Sequence, residues 1–135
     1  MTLTDTGPLV ALVDADDKAH KACVAVLTQL TRPLMTTWPC LTEAMYLVGS
    51  QGGFAAQEEL WGYLDAGLVE VHESSAEERR RMRELMRKYI DTPMDLADAS
   101  LVAAAEALGV TRIFTIDSDF QVYRIHRNTL FDILP

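Results

Sequence analysis

Residues 95–119 read DLADASLVAAAEALGVTRIFTIDSD, and this stretch decides the architecture. Asp95 can cap a helix, and Leu96 to Leu108 is apolar nearly all round, the pattern of a helix packed on several sides. Gly109 stops it. Arg112-Ile113-Phe114-Thr115-Ile116 follows as a β-rich strand ending at Asp117-Ser118-Asp119. Asp98 thus falls in the first turn of a helix, and Asp117 at the end of a strand.

The same alternation runs through the rest of the chain. Leu3 and Thr4 lead into Asp5, Thr6-Gly7-Pro8 reads as a turn, and Leu9 to Val13 follows, together a short strand feeding a short helix. Asp16 or Asp17 can cap the next helix, with Ala19, Ala22, Cys23, Val26, Leu27 and Leu30 on one buried stripe. Arg32-Pro33 ends it. Leu34 to Thr37 reads as a strand, and Thr37 before Trp38-Pro39 as a capped helix start, with Glu43 about one turn later. Gly49 to Gly53 reads as a break, Phe54 to Ala66 as a helix closed by Gly67, and Leu68 to Val71 as a strand. Ser74 to Glu77 matches a capping box opening a helix to about Ile90, whose apolar stripe is Met82, Leu85, Met86, Tyr89 and Ile90. Leu130 to Leu134 supplies a last strand. Strands alternating with helices require right-handed crossovers, so the expected fold is α/β, a three-layer α/β/α sandwich around a central, mostly parallel sheet.

At 135 residues and 49% hydrophobic, the chain fits one domain spanning 1–135. No apolar run approaches the roughly 20 residues of a membrane span, and the N-terminus lacks a basic segment before an apolar one, so a cytoplasmic protein without a membrane partner is expected. Cys23 and Cys40 form no metal-binding pair and fit apolar helical positions, so zinc is not indicated. A net charge of −8 argues against a broad nucleic-acid-binding surface and leaves room only for local contact. His20, His72 and His126 have no neighbouring nucleophile pattern. Arg79, Arg83 and Arg87 repeat every four residues on a face that also carries acids, the pattern of a solvated helix surface. Trp38 and Trp61 are expected to be buried.

Asp5, Glu43, Asp98 and Asp117 remain. Singly, each has a structural explanation as a cap, a helix-start acid or a turn former, and Asp95 with Asp98 could be a capping pair. If the strands are adjacent and parallel, however, the four gather at one edge of the sheet, where open α/β folds place their sites. Clustered carboxylates repel. Either their pKa values rise or a divalent cation neutralises them, and oxygen-only ligands suit Mg²⁺ or Mn²⁺.

Four segments in order carry a resemblance: Asp5-Thr6-Gly7-Pro8-Leu9, Thr42-Glu43-Ala44, Asp95-Leu96-Ala97-Asp98-Ala99 and Thr115-Ile116-Asp117-Ser118-Asp119-Phe120. The sequence resembles the PIN-domain ribonucleases, especially the VapC-like toxins of toxin–antitoxin systems, over essentially its whole length. The resemblance implies a metal-dependent endoribonuclease acting on RNA, with Asp5, Glu43, Asp98 and Asp117 as acidic ligands and Asp119, Thr115 and Asp95 as auxiliary groups. It also implies a homodimer and a cognate antitoxin that inserts a basic segment among the carboxylates. Gly7 departs from the pattern, since the family often carries serine after Asp-Thr. The competing class is a protein-interaction module on the same fold with weak or no nuclease activity. A phosphoacceptor receiver domain or a dehalogenase-type phosphatase would need a second acid beside or two residues after Asp5, and neither is there.

Overall fold

β1 (Thr2–Thr4) is only three residues long, yet all three are buried, because neighbours cover both its edges and both its faces. The structure, a computed structural model, describes residues 1–135. It places β2 (Leu34–Thr37), β3 (Val69–His72), β4 (Arg112–Phe114) and β5 (Asp132–Leu134) with β1 in one sheet of order β3-β2-β1-β4-β5. Every pairing is parallel. Successive apolar side chains point to opposite faces. Leu3, Met35 and Ile113 join the core beneath α4 (Ala76–Lys88) and α5 (Leu96–Leu108), whereas Leu34, Val69 and Phe114 join the core beneath α1 (Thr6–Val13), α2 (His20–Val26) and α3 (Trp38–Asp65). The threonines interleaved with them bury hydroxyls that are all satisfied, as in Thr36 Oγ1 donating to the Thr4 carbonyl at 2.9 Å.

The strand order reverses direction between β1 and β4: from β1 the chain winds outward through β2 to β3, then returns to β4 on the other side. Ligands in open parallel sheets bind outside the carboxyl ends of the strands at such a switch point. α5 guards that opening from one side. Its residues Ala97 to Ala105 are all buried, as its apolar circumference predicts, and Gly109 ends it at φ +67°, a left-handed conformation that costs any other residue more.

Several local expectations shift. The turn expected at Thr6-Gly7-Pro8 is already the first turn of α1. The capping box lies one residue later, with Ser75 Oγ accepting from Glu78 N at 3.1 Å and Glu78 Oε2 accepting from Ser75 N at 2.8 Å. Glycines 49 and 52 are helical, so the expected break shrinks to a kink at Gly53, whose φ of 65° and ψ of −159° suit glycine alone. β4 ends at Phe114, β5 begins at Asp132 and β3 is shifted by one residue to Val69–His72. Neither Asp16 nor Asp17 caps α2: Asp17 Oδ1 accepts from Ala19 N at 2.8 Å in a turn before it. Ala22, Met86 and Ile90 lie exposed, and Ile90 is beyond the end of α4. Trp38 and Trp61 are exposed as well, at 46% and 44%, because Cys40, Leu41, Ala44, Val48 and Leu60 take the inward positions of α3.

Leu101 is wholly buried in the core between α5 and the sheet. Leu101→Ala is expected to cost about 2–5 kcal/mol, measured by urea denaturation, because a helix packed on all sides cannot collapse into the cavity. A loss below about 1 kcal/mol would show that α5 is not so enclosed.

Candidate metal centre

Asp5 follows β1 directly and caps α1, its Oδ1 accepting from Thr6 N at 2.7 Å. Its backbone amide donates to the Phe114 carbonyl at 3.0 Å, which ties it to the end of β4. Thr115, one residue further, donates its hydroxyl to Asp5 Oδ2 at 2.8 Å and accepts from Asp117 N at 3.0 Å. One threonine therefore fixes both acids. Asp117 in turn opens the short 3₁₀ helix Ser118–Gln121, with Oδ1 accepting from Asp119 N at 2.9 Å.

Asp98 is the third residue of α5 and half of a reciprocal capping box. Asp95 Oδ1 accepts from Asp98 N at 2.8 Å, and Asp98 Oδ2 accepts from Asp95 N at 3.2 Å and from the Tyr123 hydroxyl at 3.3 Å. The capping explanation of this pair is correct as far as it goes. It leaves Asp98 Oδ1 and Asp117 Oδ2 without a protein donor, and carboxylate oxygens of Asp5, Asp98 and Asp117 lie within 4.8 Å of one another. Glu43 projects from α3 into the same cavity, held by the Thr6 hydroxyl donating to its Oε2 at 3.1 Å, but stands outside that tight triplet.

The cavity, about 440 Å³, is lined by Asp5, Glu43, Asp95, Asp98 and Asp117 with Thr6, Gly7, Ala97, Ile116 and Ser118. It contains five acids and no lysine, arginine or histidine. Asp119 is half-buried outside this lining and bears on the site through its backbone amide. Burial raises the pKa of Asp5, offset in part by the hydrogen bonds from Thr115 and Thr6, with Asp117 and Asp95 raising it further. Asp98 is pushed up to about 7, first by burial and then by the negative charge of Asp95. Helix N-termini temper the repulsion, since Asp5 and Asp98 sit at the positive ends of α1 and α5. The three histidines are elsewhere: His20 bonds the Ala11 carbonyl, His72 bonds Glu78 and His126 lies near Glu106.

Two groups in the site were not read from the sequence. Thr6 stands next to Asp5 but bonds Glu43, and Tyr123 reaches Asp98 from the segment after the 3₁₀ helix; no spacing rule links either to its partner. Gly7 now has a structural reason: a Cβ there would meet Ile116 Cγ1 at 2.7 Å, so a serine would force Ile116 to move. Cys40 lies beneath the site, its thiol pushed up to about 12 by burial and then by Asp5, which makes it a small neutral packing group.

The donor set fits a hard divalent cation: all ligating atoms are oxygens, several lone pairs have no protein donor, and the excess negative charge has no protein counter-ion. The pH sign follows from Asp98. Because its folded-state pKa of about 7 lies above the value near 3.9 of an unfolded chain, its contribution to metal-free stability is fully present below about pH 4 and is lost as pH rises towards 7. A cation must displace the same proton. Mn²⁺ should therefore raise the melting temperature more at pH 8 than at pH 5.5, and Asp98→Asn should abolish most of the rise while leaving the metal-free protein at least as stable at pH 8. Equal rises at both pH values, or a rise that survives Asp98→Asn, would place metal binding elsewhere.

The fold and the sequence both have counterparts among known proteins. The PIN domain family profile matches residues 2–125. Ribonuclease VapC26 of Mycobacterium tuberculosis is 26% identical over 134 residues, covering 98% of this chain and 99% of that protein. The crystal structure of Mycobacterium tuberculosis VapC20, described as a sarcin-ricin loop cleaving toxin, superposes with a TM-score of 0.82 at 20% identity, over 90% of this chain and 94% of that one.

Proposed function

The chain belongs to the PIN-domain family, and from that premise we propose that it is a metal-dependent endoribonuclease, the toxin of a type II toxin–antitoxin pair. The observation that carries this is the cavity at the sheet's switch point, where five carboxylates converge with no basic residue among them. A purely structural set of caps has no reason to share one cavity. Similarity to a ribonuclease over nearly the full length of both chains supports the substrate class.

Asp5, Asp98 and Asp117 would hold Mg²⁺ or Mn²⁺, with Glu43 binding directly or through water, since magnesium keeps several of its waters. A bound ion supplies an activated water at neutral pH and stabilises charge on the phosphate and the leaving oxygen. The protein supplies the geometry. Thr115 locks Asp5 against Asp117, Thr6 orients Glu43, and Asp95 with Tyr123 fixes one oxygen of Asp98 so that the other faces the cavity. Asp119 steadies Asp117 through its amide. The same concentration of negative charge suits a basic segment of a cognate antitoxin. A homodimer acting in the cytoplasm, built from one domain per chain, completes the proposal; no helix is long and apolar enough to cross a membrane.

The test is cleavage of a panel of structured RNAs with Mn²⁺, Mg²⁺ or EDTA, comparing wild type with Asp5→Asn, Asp98→Asn and the exposed control Asp65→Asn. Metal-dependent cutting should fall by at least about 100-fold in both site variants, the scale on which removal of one charge-stabilising group acts, and persist in the control. If wild type and site variants behave alike on every RNA and no metal shifts the melting temperature, the carboxylates are structural and the protein-interaction module replaces the enzyme.

A further inference from the structure

A second groove, about 470 Å³, lies between the start of α3 and α4, with Trp38, Pro39, Arg79, Met82, Arg83 and Met86 among its lining residues. It adjoins the acidic cavity across the first turn of α5: Leu96 lines the groove, while Asp95, Ala97 and Asp98 line the cavity. The charge distribution singles it out. The protein carries −8 overall, yet six of its 12 lysines and arginines lie on α4, against three glutamates, and two of the six, Arg79 and Arg83, line the groove beside its apolar side chains. Arg81 is taken up by Glu106 and Glu84, whereas Arg79 and Arg83 take part in none of the ion pairs. Arg79 donates only to the Ser74 carbonyl, at 2.9 Å. Across the groove Trp38 presents a half-exposed indole, steadied by Nε1 donating to Glu73 at 2.9 Å.

Resting on the nuclease function, we propose that this groove is the track by which a single RNA strand reaches the carboxylates, with Arg79 and Arg83 binding backbone phosphates and Trp38 stacking on a base. Charge complementarity selects the occupant. A protein of net charge −8 repels RNA over most of its surface, so productive approach needs a local cationic strip leading to the metal site. Arginines with an aromatic platform are the combination that holds single strands without demanding a sequence. A second copy of this chain docked face to face on the groove would bring like arginine rows together, since a two-fold contact sets the same patch against itself.

The test measures binding of a fluorescein-labelled, mixed-sequence single-stranded RNA to the full chain carrying Asp98→Asn, which blocks cutting, by anisotropy over a salt series. Adding Arg79→Ala with Arg83→Ala should weaken binding about tenfold or more and lower the slope of log affinity against log salt by about 1.4, the value for two lost phosphate contacts. Trp38→Ala should weaken it about fivefold or more and Trp38→Phe much less, because phenylalanine keeps the stacking face while losing the bond to Glu73. Lys18→Ala with Lys21→Ala, two exposed residues in the turn before α2 and in its first turn, removes the same charge and should change little. In the cutting-competent chain, the arginine variant should raise KM with kcat largely kept.

An arginine variant that binds like its parent, or no worse than the α2 control, overturns the proposal. So does a wild-type dimer that sedimentation shows dissociating on Arg83→Glu with Met86→Glu while RNA affinity stays constant, for then a second copy fills the groove. The two functional statements fail separately: arginine-dependent binding without metal-dependent cutting removes the nuclease and keeps the RNA surface, whereas cutting that ignores the groove does the reverse.

Discussion

The parallel register of β1 against β4, Leu3 opposite Ile113 and Thr4 opposite Phe114, brings together residues about 110 positions apart in sequence, and the site depends on it. It sets Asp5 beside Thr115, from which the positions of Asp117 and the 3₁₀ helix follow. Because the two strands flank the point where the sheet reverses its winding, no crossover helix covers the opening between them. The first turn of α5 reaches that opening and delivers Asp98.

The cost of this arrangement is electrostatic. Burying several carboxylates together opposes folding once they ionise, and the chain limits the cost with local hydrogen bonds rather than with cations. Asp5, Asp95 and Asp117 each accept a backbone amide at the start of a helical segment, and Asp98 accepts one from Asp95. At Asp98 and Asp117 these bonds occupy one oxygen and leave the other without a protein donor, whereas both oxygens of Asp5 are bonded, to Thr6 N and to the Thr115 hydroxyl. The structural and proposed roles of these acids thus share one geometry: the hydrogen bonds fix each side chain in place, and the oxygens of Asp98 and Asp117 left without a donor would be open to a cation. Burial, and then the charge of Asp95, raises the pKa of Asp98, and a divalent ion would favour its charged form.

Most of the fold was legible because it is written in local patterns. The apolar circumference of 96–108 demands burial on every side, and the short strands with apolar ends demand a covered parallel sheet. The convergence of Asp5, Asp98 and Asp117 follows from their places at element ends once the sheet is assumed. Side-chain choices between near-equivalent local solutions were not legible. Ser74 with Glu77 and Ser75 with Glu78 offer the same capping spacing, and the second is used because Glu78 also meets His72 at the end of β3, a tertiary contact. Trp38 looked like a core residue by size, yet the inward stripe of α3 was already filled by smaller side chains packing against α1. Thr6 and Tyr123 carry no such signal, because a hydroxyl's partner is set by the assembled fold.

The most direct measurement of the central claim is a crystal structure of the protein soaked with Mn²⁺, with anomalous differences recorded at a wavelength where manganese scatters strongly. A peak bonded to oxygens of Asp5, Asp98 and Asp117, with Glu43 a direct ligand or one water away, is the predicted result. A crystal that shows no peak in that cavity under saturating Mn²⁺, or whose ion binds elsewhere while the three carboxylates keep their metal-free positions, would contradict the account.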